Sequence, residues 1–254
     1  MQKALLNIHE LTTHLNTYLH ASAFEDNAVN GLQVSNTGPI TKVATAVSAS
    51  VEAIEQTIAL GAQALLVHHG IFTKNDNHAL VDGVYRKVKL LMQHNIALIC
   101  YHLPLDAHKD IGNNWKAAHD LGLHTLQPFM ELNKQHIGVI GSIAPTPFDE
   151  FKTHVEQYYG RTAHAVKVKD IITKIAIVSG KADRCITQAA RAGADCFITG
   201  TNDEPVWDKA HEENISFLSV GHYTSEMVGP KALAEYIQKT FATSCAFIKT
   251  DNPF

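Results

Sequence analysis

The chain has 254 residues, of which 45% are apolar and 18% charged, and its formal net charge at pH 7 is −4. A chain of this length buries enough surface to fold without disulfides or a structural metal. The mildly negative charge gives no basic surface for a nucleic acid. Because no apolar run approaches 18 residues and no basic segment followed by an apolar one opens the chain, we expect neither a membrane span nor a signal peptide.

The cysteines indicate a reducing compartment. They are scattered, without a Cys-x-x-Cys pair, at Cys100, Cys185, Cys196 and Cys245. Cys100 and Cys196 lie in apolar runs, which is typical of small core residues rather than disulfide partners. The sequence therefore predicts a cytoplasmic protein.

The first 34 residues predict a helix and then turns. Residues 3–20 place leucine and isoleucine side chains largely on one stripe, which predicts an amphipathic helix. Residues 26–34 are rich in asparagine and glycine and lead into a short extended piece. We expect these asparagines to form turns rather than a site.

From Lys42 the pattern becomes strand, helix, strand. We predict strands over residues 43–47, 64–67 and 96–101, helices over 51–60 and 84–94, an N-cap within 48–50 and a loop over 71–83. Two successive βαβ units favour a parallel sheet.

The middle of the chain shows no residues that suggest chemistry. Between residues 120 and 170 we predict a strand over 138–143, a helix over 149–159 after two prolines, and a strand over 163–168.

The third quarter of the chain repeats the first. Residues 175–180 resemble residues 43–48, and residues 192–195 resemble residues 60–63. The same pattern predicts a helix over 181–191 and strands over 196–198 and 215–220. We therefore predict an α/β fold made of two related, duplicated halves, about 1–125 and 126–254, with mostly parallel sheets.

An adjacent histidine pair ends the strand predicted over residues 64–67. His68 and His69 would point to opposite faces if the strand continued, but Gly70 allows the backbone to turn so that both rings face one site. Imidazole is a common metal ligand. Since the chain contains 16 histidines, an accidental pair is the alternative.

Two more predicted strand ends carry a histidine and, four residues later, an acid. These pairs are His102 with Asp106 and His222 with Glu226. Each pair shares one face if the chain is helical there, although Pro230 would interrupt or kink a helix that begins so early. Taken singly, each pair is also typical of turn or solvated surface residues. Taken together they indicate one site, because ligands bind beyond the carboxyl ends of parallel strands.

Histidines and carboxylates without cysteine suit zinc, iron, manganese or nickel rather than a structural zinc site. Five or six candidate ligands exceed the needs of one open catalytic ion. The set therefore predicts two divalent transition-metal ions per chain, with His68 and His69 on different ions and one carboxylate bridging. Such ions lie about 3.5–4 Å apart and activate a shared water.

Four segments together resemble the Nif-three-like family, in order and spacing and over nearly the whole chain. They are Asn30-Gly31-Leu32-Gln33-Val34, Val67-His68-His69-Gly70, His102-Leu103-Pro104-Leu105-Asp106-Ala107-His108 and Gly221-His222-Tyr223-Thr224-Ser225-Glu226. The resemblance implies duplicated α/β halves packed around a dinuclear metal site and assembled as a homo-hexameric ring. Longer relatives carry a domain inserted in mid-chain, for which residues 120–170 are too short.

The resemblance also implies a ligand set. One ion would be held by His69, Asp106 and Glu226, and the other by His68, His222 and the bridging Glu226. His102 matches a family position close to the metals, which implies a supporting contact or a proton carrier in catalysis.

Two functions remain open at this level. Bacterial family members are often labelled GTP cyclohydrolase I type 2 homologues, which implies a metal-dependent hydrolase of a nucleotide-type small molecule. The alternative is a metal-binding scaffold, metal chaperone or regulatory interaction protein. No Gly-x-x-x-x-Gly-Lys-Ser/Thr loop is present. The basic residues that flank the predicted metal loops either meet phosphates or are solvated surface charges; they are Lys74, Arg86, Lys109 and Lys116.

Overall fold

A computed structural model describes residues 6–254. The helices are α1 (Ile8–Tyr18), α2 (Val51–Ala59), α3 (Asp82–Gln93), α4 (Leu103–Ala107), α5 (Asn113–Asp120), α6 (Phe148–Tyr159), α7 (Ile186–Arg191), α8 (Val206–Glu212), α9 (His222–Ser225) and α10 (Val228–Phe241). The strands are β1 (Gly31–Val34), β2 (Lys42–Ser48), β3 (Ala64–His69), β4 (Ala97–Cys100), β5 (His124–Leu132), β6 (Gln135–Pro147), β7 (His164–Val166), β8 (Ile171–Val178), β9 (Cys196–Thr199), β10 (Ser216–Ser219) and β11 (Ser244–Phe247).

One compact unit consists of the chain up to Leu105 together with Gly229–Asp251. Its sheet has the order β1-β4-β3-β2-β11, in which every neighbouring pair is parallel except β1 with β4. The central strand β3 is apolar over Ala64 to Val67, and these residues are buried. Helices α2 and α3 contribute Ile54 and Leu91 to the core around it. A parallel strand that is covered in this way reads as a continuous apolar run.

The second unit consists of Asp106–Val228 and Asn252–Phe254. Its sheet has the order β5-β6-β8-β9-β10-β7, with parallel β8, β9 and β10 at its centre and antiparallel strands on both sides. It carries two cores, one around Phe148 and Phe151 of α6 and one around Phe197 of β9 and Ile186 of α7. The predicted α/β class is confirmed.

Most predicted elements are present, with shifted ends. Helix α1 begins at Ile8 because the Asn7 side chain accepts from the amides of His9 and Glu10, and Glu10 bonds back in a capping box. Of the helix predicted over residues 3–20, residues 3–5 lie outside the described part. Helix α7 begins at Ile186 rather than at residue 181, since a 3-10 turn over Asp183–Cys185 precedes it.

The long hairpin β5–β6 was missed in part, because only residues 138–143 were predicted as a strand. Strand β5 is mostly exposed, so its sequence lacks the apolar alternation that marks a half-buried strand. Asn133 and Lys134 connect the strands with φ of 50° and 65°, the positive values that a two-residue hairpin turn requires. An Asn-Lys pair is a weaker turn signal than Asn-Gly.

A set of hydrogen bonds ties the start of β3 to the start of β2 in the first unit. The side-chain oxygen of Gln63 accepts from the backbone and hydroxyl of Thr41, both at 3.0 Å, and from the Lys42 amide at 2.9 Å. The Lys42 ammonium donates to the Leu60 carbonyl at 2.8 Å.

The same hydrogen bonds recur in the second unit. One Asp195 carboxylate oxygen accepts from the backbone and hydroxyl of Thr173, at 2.9 and 2.7 Å, and from the Lys174 amide at 3.0 Å. The Lys174 ammonium donates to the Ala192 carbonyl at 2.8 Å. These are the segments that the sequence comparison paired. The extent of the repeat, about 1–125 and 126–254, stays a prediction.

Replacing Asp195 by asparagine is expected to lower the free energy of unfolding at about pH 7 by about 1–3 kcal/mol. Burial opposes ionisation of Asp195, but hydrogen bonds from Lys169, Thr173 and Lys174 outweigh it and hold the pKa of this carboxyl below its usual 3.8. Because the folded pKa is depressed, this stabilisation is present above the ordinary pKa and is lost as the pH falls through the folded one. Urea unfolding at about pH 7 and about pH 3 tests this. The exposed Asp208→Asn serves as control, and a penalty that does not shrink in acid would refute the explanation.

The sequence also predicts unpaired cysteines and no membrane-spanning helix. The four cysteines, all within the described residues, carry free thiols. Cys100 and Cys196 are fully buried, as predicted. Burial raises the pKa of the Cys100 thiol to about 12, so it is not a nucleophile near neutral pH. Among residues 6–254, the helices are too short or too polar to cross a bilayer.

Candidate metal centre

Three histidines of the first unit lie together. His68 and His69 end β3, and His102 directly precedes α4. Their candidate ligand atoms all lie within 4.8 Å of one another. The ring centroids of His68 and His69 are 4.7 Å apart, and those of His68 and His102 are 4.9 Å apart. Adjacent residues at the strand end thus bring both rings to one place, as the glycine after them led us to expect.

Hydrogen bonds orient the two adjacent rings. His68 is fully buried, and its Nδ1 lies 3.2 Å from the Tyr101 carbonyl oxygen. A carbonyl can only accept, so Nδ1 carries the proton and, in the neutral ring, Nε2 has the lone pair that a metal requires. The Nδ1 of His69 lies 3.2 Å from the Ser48 hydroxyl oxygen.

His102 is held by a buried carboxylate. Its Nδ1 lies 3.0 and 3.2 Å from the two carboxylate oxygens of Asp26, which is 5% exposed. Burial opposes ionisation of Asp26, but the hydrogen bond and charge of His102, with donors from Asn30 and Leu103, hold the pKa of Asp26 well below its usual range. An ionised carboxylate only accepts, so Nδ1 of His102 donates and Nε2 has the lone pair in the neutral ring.

The turn-rich segment before β1 takes part in this arrangement. The Asn30 side-chain oxygen accepts from the His102 backbone at 2.8 Å, and its nitrogen donates to Asp26 at 3.0 Å. The expectation that these asparagines only form turns was therefore wrong for Asn30, and Asp26 was missed. The available signal was an acid four residues before the asparagine of a family motif.

His222 and Glu226 lie together in the second unit. Helix α9 contains His222, and Glu226 follows its last residue. His222 Nε2 lies 3.1 Å from Glu226 Oε1, and Glu226 is 3% exposed. The prediction that the pair shares one face is confirmed. The expected interruption also occurs, since α10 begins anew at Val228 and Pro230 lies in its first turn, where no amide is needed.

Two strand-end glycines make room for this pair. A methyl group on Gly180 would overlap Glu226 Oε1 and lie 3.4 Å from His222 Nε2. A methyl group on Gly200 would lie 2.6 Å from the Ser225 hydroxyl oxygen and 2.7 Å from the His222 Cα. Strand β9 ends at Thr199 and is followed by Gly200, whereas β3 ends in histidines, because the backbone here must leave space for α9.

Asp106 is also positioned by neighbours that the sequence analysis missed. It is 8% exposed, and its Oδ1 accepts from the Asn113 side-chain nitrogen and the Ser179 hydroxyl, both at 2.9 Å. Two donors on one oxygen fix the direction of this carboxylate. Nothing in the spacing of Asn113 or Ser179 indicates this role.

The donor chemistry of each unit fits a divalent transition metal. Two atoms bound at 2.0–2.1 Å to a tetrahedral ion lie about 3.3 Å apart. The 3.1 Å between His222 Nε2 and Glu226 Oε1 is close to that separation. With the buried His68 and its oriented ring, the structure presents histidine and glutamate side chains that could hold a metal ion.

Three of the four flanking basic residues have other contacts. Arg86 lies 3.5 Å from a carboxylate oxygen of Glu55, Lys116 pairs with Asp120, and the Lys109 ammonium lies 5.5 Å from the Trp115 ring centroid. These contacts favour the view that they are surface charges.

Comparison with known proteins identifies relatives over nearly the whole length of the chain. The family model described as Duf34/NIF3 (NGG1p interacting factor 3) matches residues 6–253. A protein of Chlamydia pneumoniae named "GTP cyclohydrolase 1 type 2 homolog" is 44% identical, covering 98% of this chain and 100% of its own. A protein of the same name from Pseudomonas aeruginosa is 36% identical, covering 96% and 97%. The solved structure of protein ybgI, described as of unknown function, has a TM-score of 0.92 at 32% identity, covering 98% and 100%.

Proposed function

The chain belongs to the Duf34/NIF3 family, and from that premise we propose that it is a metal-dependent hydrolase acting on a nucleotide-type small molecule. The observation that supports this most is the three-histidine group, in which the rings of His68 and His102 are each oriented by an acceptor at Nδ1. The name of the relatives, "GTP cyclohydrolase 1 type 2 homolog", points to GTP as the first substrate to test.

We assign about two divalent ions to each chain. His69, Asp106 and Glu226 would hold one, and His68, His222 and Glu226 would hold the other. Support comes from the burial of His68, Asp106 and Glu226. A buried carboxylate is costly without a compensating positive charge, which a metal ion supplies. Nitrogen and oxygen donors of this kind serve zinc, iron, manganese and nickel alike.

Ions held at this site would supply Lewis acidity and make water a nucleophile near neutral pH. The protein contributes the proton transfers. His102 accepts a proton from the attacking water at Nε2, and Asp26 at Nδ1 stabilises the resulting imidazolium. In a purine ring opening, the water oxygen bonds to the carbon between the two nitrogens of the purine's five-membered ring. The bond from this carbon to one of those nitrogens breaks, and His102 returns the proton to that nitrogen.

Activity is tested on metal-loaded protein with GTP, other nucleotides and simple phosphoesters. Ring opening of GTP is expected to change the purine absorbance spectrum, and a chelator is expected to abolish the reaction. Absence of turnover over the whole panel, at full metal occupancy, would refute the hydrolase.

A second candidate is a metal-binding interaction protein. Helix α3 and the residue before it expose apolar side chains, with Val81 56%, Tyr85 52% and Met92 68% exposed. Apolar residues at this helical spacing favour a protein partner. Under this alternative, substitution of a ligand such as His68 impairs partner capture in the cell while no substrate is turned over.

We propose that the protein forms a cytoplasmic homo-hexameric ring. In this ring a second copy of the chain covers the exposed apolar side chains of α3. The free thiols support the compartment. Light scattering is expected to give the mass of about six chains of 27.8 kDa each. A monomer at micromolar concentration would contradict the ring.

Replacing Asp26 by asparagine is expected to weaken metal binding or turnover about 10–100-fold, because partners that orient the rings of a metal site have effects of this size. The amide cannot accept from Nδ1 of His102 with the strength of a carboxylate. Competition with a coloured chelator measures affinity, and the exposed Asp76→Asn is the control. Wild-type affinity together with wild-type turnover in Asp26→Asn would exclude the role given to this carboxylate.

A further inference from the structure

Arg161 and the segment Asn252–Phe254 lie against the turn that carries His222. All belong to the second unit. The Arg161 guanidinium donates to the Pro253 carbonyl, and the Tyr223 amide donates to the Phe254 carbonyl at 2.9 Å. A Cβ on Gly221 would lie 3.0 Å from the guanidinium carbon, so the side chain of Arg161 packs directly on the Gly221 backbone.

These contacts stabilise a helix that is too short to be stable alone. Helix α9 has only four residues, His222–Ser225, and no side chain caps its N-terminus. A helix this short is not stable alone, and its first amides lack partners within it. The Phe254 carbonyl accepts from the amide of Tyr223, the second helical residue, and thereby does the work of an N-cap.

The other side of α9 is held separately. The Ser225 hydroxyl donates to the His222 carbonyl at 2.8 Å and accepts from the Gly180 amide at 2.9 Å. Ser225 thus fixes the turn to Gly180, just beyond β8, whereas Arg161 and Asn252–Phe254 fix its N-terminal end. His222 lies at that end.

We propose that Arg161, through Asn252–Phe254, is a positioning residue for His222 and so sets the affinity of the metal that His222 holds. This inference rests on the proposed assignment of His222 as a ligand. The Arg161 guanidinium binds the Pro253 carbonyl and so orders the chain there, and the oxygen of the next residue, Phe254, fixes the direction of α9.

The first test is amide hydrogen exchange in chelator-treated protein, which needs no metal. Arg161→Ala is expected to speed exchange of the Tyr223 amide at least about tenfold. Arg161→Lys, whose ammonium can still donate to Pro253, is expected to restore most of the protection. Deletion of Asn252–Phe254 reaches the same turn independently if Arg161→Ala folds poorly. Arg191→Ala, an exposed arginine in the same unit, is the control and is expected to exchange like the wild type.

The second test is titration with Co²⁺, followed by its visible absorption. In Arg161→Ala, one binding event is expected to weaken at least about tenfold and its absorption to change, while Arg161→Lys stays close to wild type. Unchanged exchange, or faster exchange with unchanged cobalt affinity and spectrum, would overturn the positioning role and leave the proposed function intact. A wild-type protein that binds no Co²⁺ would instead overturn the proposed metal centre, and this inference with it.

Discussion

Protein with Glu226 replaced by glutamine is expected to lose at least one of about two ions per chain and to turn over its substrate more than about 100-fold more slowly. Loss of a residue that hydrogen-bonds to a metal ligand already weakens metal binding or activity about 10–100-fold. Glu226 is proposed to be the bridging ligand itself, so its loss is expected to cost more. Glutamine keeps the shape and one oxygen acceptor near His222 but removes the charge that compensates a buried cation.

Elemental analysis and turnover on the same preparation measure both effects. The exposed Glu212→Gln, in α8, is the matched control and is expected to keep both metal content and rate. Glu226→Gln with full metal content would exclude the bridging assignment. Full turnover with one ion lost would show that a single ion suffices.

Alanine at position 180 is expected to damage the fold and the site together. Gly180 has a φ of 68°, a left-handed conformation that costs a residue with a Cβ about 1–2 kcal/mol. Its new methyl group would also overlap Glu226 Oε1 and force that carboxylate away from His222. We therefore expect a lower unfolding free energy and a loss of metal affinity of at least about tenfold.

Gly122→Ala separates the two effects. Gly122 has a similar φ of 78°, but a Cβ there would meet no atom within 4 Å. It is expected to lose a comparable amount of stability and no metal affinity. Chemical unfolding and chelator competition on both variants make the comparison. If Gly180→Ala binds metal like Gly122→Ala, the space beside Glu226 is not needed for binding.

The two histidine–acid pairs occupy different positions relative to the strands that they follow. By the spacing of histidine and acid, His102 resembles His222. In the structure the Tyr101 amide donates to the Val67 carbonyl and the Val220 amide to the Thr199 carbonyl, both at 2.9 Å. Tyr101 and Val220 therefore occupy equivalent positions, and the residue that matches His102 is Gly221. The two histidine–acid pairs are offset by one residue, so they are not copies of one motif.

The positions of the candidate ligands were predictable because they follow apolar strands. A buried strand such as β3 must be apolar along its length, so a histidine pair at its end stands out in the sequence. The α/β class followed from the same regularity, since strand and helix periods alternate along the chain. The helical i, i+4 spacing likewise predicted the contact of His222 with Glu226.

Only the tertiary structure decided the contacts between residues that are far apart in the chain. Asp26 lies 76 positions from His102, and Ser179 lies 73 positions from Asp106. Hydrogen bonds of this kind depend on where folded segments meet, and no local period or spacing records that. The tautomer of His102, the direction of Asp106 and the N-terminal support of α9 all depend on such contacts. The sequence by itself determined which side chains are available to bind a metal, and the tertiary structure decided how each is oriented.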